Sequence, residues 1–206
     1  VVYHGCAIKI TEKKIETPPQ NYVLFVGARG SYKNFIFLVN SIKPLLKSNP
    51  NLFLLCAGGG NFDEKEKIFF KELNLENQII QREFKENELG LYYKNAICFV
   101  FPSLYEGFGI PVLESMACGC PVVLSQHSSF PEVAGDAGVY YEKQNSEDLM
   151  NKINLSPNQS SIVNLNQGAE STVCYLTARL LMEKLAMSQS RVIPIQKSRS
   201  GIAINL

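Results

Sequence analysis

Short apolar runs alternate along the chain with segments whose apolar residues recur every three to four positions. The runs at 22–26, 52–57, 78–81, 97–101, 121–124 and 139–141 have the length and composition of strands. Between the first two, residues 33–47 set Phe35, Leu38, Val39, Ile42, Leu45 and Leu46 at helical spacing. Residues 63–73 predict a charged amphipathic helix with Ile68, Phe69 and Leu73 facing inward, and 86–95 a helix carrying Leu89, Tyr92 and Tyr93. A helix over 111–117 stops at Gly119, a helical turn covers 130–134, and a further helix begins near Asn145. Strand followed by helix, repeated, predicts an α/β fold: a doubly wound parallel sheet of the Rossmann-like kind, with helices on both faces.

The two ends depart from this alternation. Residues 6–20, with Pro18 and Pro19, read as a linker into the first strand. Residues 154–168 are rich in Asn, Ser and Gln and read as a loop; 169–187 have the pattern of an amphipathic helix. The last twenty residues show no periodicity and are expected to be a disordered tail. The main domain is thus expected over 21–153, with 1–20 before it and 154–206 after it.

At 206 residues, the chain holds one full domain and an extension. Lys and Arg number 20 against 19 Asp and Glu, a net charge of +1, which excludes the basic surface of a nucleic-acid binder. No apolar run reaches the length of a membrane span, and the N-terminus has neither the basic start nor the apolar core of a signal peptide. The chain opens on Val rather than Met and reads as part of something longer. Its six cysteines are scattered without Cys-x-x-Cys or a nearby His, and read as small buried hydrophobes of a reducing compartment. Cys118 and Cys120 are close enough for a redox pair, but their place at a helix end favours burial.

In such a sheet, ligands lie over the carboxyl ends of the strands. Three of the loops there carry candidate chemistry. Gly27-Ala-Arg-Gly30 follows the first strand, and Arg29 and Lys33 (at the expected helix start) are either surface charges or two cations for a diphosphate. The loop after Phe101 holds Glu106, Gly107, Gly109 and Pro111, and Glu114 lies about one turn inside the next helix. The glycines let backbone amides approach a ligand, and the carboxylates, acceptors only, suit sugar or ribose hydroxyls. Two helix-end glutamates held by the dipole are the plainer reading of that spacing. The third loop, Ser125 to Glu132, contains His127, either a donor to ligand or an ordinary loop histidine. No catalytic triad or metal cluster is visible. A nicotinamide dinucleotide site would require Gly-x-Gly-x-x-Gly after the first strand and an acid ending the second; neither is present.

Taken together, Phe25-Val-Gly-Ala-Arg29, Lys33-Asn34, Ala57-Gly-Gly-Gly60, Phe101 to Glu114, Ala117-Cys-Gly-Cys-Pro121-Val-Val and Phe130-Pro-Glu-Val-Ala-Gly-Asp136 resemble the retaining glycosyltransferases of GT-B fold (family 4, group 1). The resemblance spans residues 21–150. It implies the C-terminal, donor-binding half of a two-domain enzyme, with residues 1–20 the end of an N-terminal acceptor domain and its hinge. By it, Arg29 and Lys33 hold the diphosphate of the donor, and Glu114 holds the ribose. Glu106 contacts the transferred sugar, and the amides of Phe108, Gly109 and Ile110 contact sugar and phosphate. The base lies near 81–84, where Arg82 replaces the glycine common in the family. The donor is a GDP- or UDP-linked sugar, the acceptor a saccharide or lipid-linked saccharide, and no cofactor or metal is required. The expected setting is polysaccharide biosynthesis in the cytoplasm, with peripheral association at the inner face of the membrane through the full-length enzyme. A non-catalytic nucleotide- or sugar-binding module, or a nucleotide-sugar epimerase of similar fold, are the alternatives.

Overall fold

In the computed structural model, the structure describes residue 8 and residues 18–85 and 88–156. The strands are β1 (Tyr22–Val26), β2 (Phe53–Ala57), β3 (Ile79–Arg82), β4 (Cys98–Phe101), β5 (Val122–Ser125) and β6 (Val139–Tyr141). The helices are α1 (Phe35–Ser48), α2 (Glu64–Glu72), α3 (Leu89–Asn95), α4 (Ile110–Ala117), α5 (Phe130–Ala134) and α6 (Ser146–Leu155). The strands form one parallel sheet in the order β3-β2-β1-β4-β5-β6. The doubly wound α/β fold expected from the apolar pattern is the observed one.

The sheet is covered on both sides, so successive residues of each central strand enter different cores. Tyr22, Leu24 and Val26 of β1 pack with α3, α4 and α5 through Tyr92, Tyr93, Val112, Met116 and Phe130. Val23 and Phe25 pack with α1, α2 and α6 through Phe35, Leu38, Ile42, Phe70 and Leu149. This two-sided burial explains why the strands read as continuous apolar runs rather than alternating ones.

Several boundaries shift from expectation. Ser31–Lys33 form a 3-10 turn, and Asn34, with φ of 55°, separates them from α1. Lys33 therefore sits in the turn before the helix, not at its first residue. At α2 Phe70 is the fully buried residue, and Phe69 and Leu73 pack partly buried against the same core as expected, while Ile68 is exposed. The final helix α6 runs to Leu155 and buries Ile153, so the domain continues two residues past 153. The expected loop, helix and tail from 157 onward, and most of the entry linker, lie outside the described residues. Among the described residues, no helix is long and apolar enough to cross a membrane.

The strand order reverses direction between β1 and β4, which are direct neighbours through Val23 with Cys98 and Leu24 with Phe99. At that point the loops leaving β1 and β4 run to opposite faces of the sheet and leave a crevice between them. The two segments singled out by their residue types, 27–34 and 102–109, are those two loops.

Candidate active site

The β1 and β4 loops are tied together. The amide of Leu104 donates to the carbonyl of Tyr32 at 2.8 Å. Beside this link, Lys33 Nζ donates to Glu106 Oε1 at 2.7 Å, with both side chains mostly shielded (13% and 15% exposed). The ammonium also lies 4.8 Å from the ring centroid of Phe101 and 5.2 Å from that of Tyr32. Aromatic faces and a carboxylate thus hold a largely desolvated cation at the switch point of the sheet.

Arg29 has a different environment. Its Nε and Nη2 donate to the two oxygens of Glu66, at 2.6 and 3.2 Å. Nη1 donates to the carbonyl of Gly58, and Nη2 also to those of Gly60 and Asn61. The guanidinium stacks over Phe62 at 4.8 Å, and the side chain is only 5% exposed. Glu66 is itself the reciprocal partner of Asp63 in the box that starts α2. The arginine therefore staples the β2 loop to the β1 loop. The two loops approach so closely that a Cβ on Gly59, where φ is +77°, would lie 2.5 Å from the carbonyl oxygen of Gly27. Each of the two cations expected to hold a diphosphate has an internal carboxylate partner: Lys33 pairs with Glu106 and Arg29 with Glu66.

The segment carrying Glu106 is fixed from the β5 side. Ser128 Oγ accepts from the Glu106 amide at 3.2 Å and donates to the Glu106 carbonyl at 2.9 Å. Ser129 Oγ donates to the carbonyls of Glu106 and Phe108. His127 Nε2 donates to the Leu104 carbonyl at 2.6 Å, and its Nδ1 pairs with Ser125 Oγ at 2.5 Å. Both nitrogens are thus used within the protein, so His127 braces the loop rather than donating to a ligand.

Gly109 then starts α4 in the left-handed region (φ 88°), with no side chain capping the helix. Pro111 has no amide to satisfy, so Gly109 and Ile110, just after Phe108, stand at an electropositive helix start that no side chain caps. Glu114 is half-buried further along α4, and its Oε2 accepts from the Tyr93 hydroxyl at 3.1 Å. Burial raises the Glu114 carboxyl above the ordinary glutamate range, and the Tyr93 hydrogen bond partly opposes that rise. Arg82 ends β3, two strands from β1, and its carbonyl accepts from the Gly58 amide at 2.8 Å.

The pattern described as "Glycosyl transferases group 1" matches residues 8–163. The chain belongs to this family. The O-antigen chain mannosyltransferase B of Escherichia coli is 33% identical over 62% of this chain and 34% of its own length. The O-antigen chain mannosyltransferase RfbU of Salmonella typhimurium is 30% identical over 72% of this chain and 39% of its own. The chain thus spans little more than a third of these curated relatives. In structure it resembles the S. aureus TarM mutant solved with fondaparinux, alpha-GlcNAc-glycerol and UDP, with a TM-score of 0.66 at 18% identity over 88% of this chain and 36% of that one.

Within this family member, Glu66, Tyr93, Ser128 and Ser129 are the contacts that sequence reasoning missed. Glu66 was legible in Asp63-x-x-Glu66, a capping-box spacing, though its hold on Arg29 was not. Tyr93 was legible only as a buried helix residue. Cys118 and Cys120 are buried and form no disulfide, and burial pushes the Cys120 thiol up to about 12, which makes it inert rather than redox-active. Among the described residues, no group of three or more His, Cys, Asp or Glu side chains could hold a metal ion.

Two outcomes follow from these environments. Arg29→Ala should destabilise the fold by about 3 kcal/mol, since it strands the largely buried Glu66, and urea unfolding with Glu66→Gln and the double variant should show strong coupling. Unchanged stability together with lost diphosphate affinity would instead place Arg29 on the ligand. For Glu114, the folded state holds the proton more tightly than the unfolded chain does. Its contribution to stability is therefore greatest below the ordinary value of about 4.3 and is lost as pH rises through the raised one. Glu114→Gln should raise the Tm at pH 7, and this gain should vanish near pH 4.

Proposed function

We propose that this chain is the nucleotide-sugar donor-binding domain of a retaining glycosyltransferase, passing a hexose from a nucleotide-diphosphate sugar to a saccharide or lipid-linked acceptor. The observation that carries the reading is the shielded Lys33–Glu106 pair at the switch point, beside the uncapped start of α4. A cation and a helix N-terminus together favour a diphosphate. A carboxylate next to them favours the hydroxyls of an attached sugar.

The roles follow from the chemistry. In the transfer, the bond between the anomeric carbon and the diphosphate oxygen breaks, and negative charge builds on the departing diphosphate. Lys33 and the amides at Gly109 and Ile110 stabilise that charge without a metal, each such donor contributing about 2–4 kcal/mol. Glu114 accepts from the ribose hydroxyls, and Phe108 lines the donor site through its amide. Arg82 and the segment following it border the base. Arg29 acts indirectly, by fixing the loops around Lys33. The UDP bound by the TarM structure is consistent with a UDP-linked donor, and the mannosyltransferase relatives with a GDP-linked one. The remaining length of those relatives is consistent with a separate acceptor domain, and the O-antigen products with a cytoplasmic enzyme working at the membrane face.

In this reading, the donor diphosphate and Glu106 compete for one ammonium. Calorimetric titration with UDP, GDP, ADP, dTDP and their sugars tests it. Lys33→Ala should weaken the preferred diphosphate by about 10- to 100-fold, the range of a charged hydrogen bond. Glu106→Gln should tighten the bare diphosphate a few-fold while reducing the preference for the sugar-bearing form. Absence of binding to every nucleotide, or equal and negligible effects of both substitutions, would overturn the assignment.

A further inference from the structure

Tyr93 lies on α3 with no exposed surface, and its ring meets Phe99 of β4 edge-on at 5.3 Å and 83°. A phenol buried this deeply needs a partner for its hydroxyl, and the one it takes is Glu114 Oε2. A carboxylate offers about four acceptor positions over its two oxygens, so one hydrogen bond from the core leaves Oε1 wholly available. The bond also removes the freedom of the terminal torsion of Glu114, which is otherwise broad.

We propose that Tyr93 is a positioning residue of the nucleotide site, clamping Glu114 by one oxygen so that the other is presented to the ribose diol. The inference rests on the reading of Glu114 as the ribose acceptor. The clamp reaches across the sheet core: α3 supplies the donor, β4 the ring packing, and α4 the carboxylate. The titratable groups that face this contact are Tyr93 itself and the Cys118 and Cys120 thiols beyond the end of α4. Among the described residues none of these brings a positive charge to Glu114, and the Tyr93 hydroxyl is the hydrogen-bond partner that orients the carboxylate. The role is a matter of aim: Tyr93 touches neither the donor nor the reacting atoms.

A ratio of affinities isolates aim from general damage. UDP and 2′-deoxy-UDP, and the corresponding guanine pair, are titrated into the whole chain, its Tyr93→Phe variant and its Glu114→Ala variant, with Tm recorded for each. The unaltered chain should prefer the ribose form of its nucleotide by about tenfold. Tyr93→Phe, which keeps the ring and its packing, should reduce that preference to about twofold and raise the Glu114 carboxyl pKa seen by 13C NMR. A Tyr93→Phe variant with full ribose preference and an unmoved Glu114 titration overturns the inference while the nucleotide site stands. A Glu114→Ala variant that keeps the preference shows instead that Glu114 does not hold the ribose, and the inference falls with that reading.

Discussion

The site depends on the Lys33–Glu106 ion pair, and that pair depends on the reversal of strand order between β1 and β4. The two residues are far apart in sequence and meet because adjacent parallel strands send their loops over the same edge of the sheet. Each charge is mostly removed from water, so each would be costly to leave alone. Phe101 and Tyr32 reduce that cost for the ammonium, and the Ser128 clasp holds the backbone of Glu106 in place. In the proposed function, the pair is a preformed anion site with an internal anion in it. By that proposal, exchange of the carboxylate for a ligand phosphate would keep the charge balance and free Glu106 to accept from hydroxyls.

Around this pair, the side chains with charge fall into two mechanical classes. Arg29 and Glu66 are locked into loop-to-loop bonding and have little capacity left for a ligand. Lys33, Glu106 and Glu114 each retain unused hydrogen-bonding positions. The division separates the contacts that hold the loops together from the groups that face the switch point. Rigid contacts at the β2 and β5 loops, through Arg29 and through His127 with its serines, brace the β1 and β4 loops on either side.

Much of this was legible in the amino-acid pattern. The strands were legible because both faces of the sheet are covered, which writes each one as an apolar run; 22–26 and 139–141 match residue for residue, as does the helical turn at 130–134. Glu106, Gly109 and Glu114 stood out because glycine, proline and acids cluster where a strand gives way to a helix. The partners were not legible. Whether Arg29 meets a ligand or Glu66 depends on how closely the β1 and β2 loops pack, a property of the glycine conformations at 58–60 rather than of the charge. Tyr93 was hidden because a tyrosine at helical spacing reads as core, and only the third dimension puts its hydroxyl on Glu114. On α2, Phe69 and Leu73 were legible as inward, whereas Ile68 is exposed and Phe70 takes the most buried place.

A crystal structure of the chain with its preferred nucleoside diphosphate tests the central claim most directly. The account predicts Lys33 Nζ within hydrogen-bond distance of a phosphate oxygen, the Glu106 carboxylate released from it, and the Arg29–Glu66 pair intact. A diphosphate bound to Arg29, with Lys33 and Glu106 still paired, would contradict it.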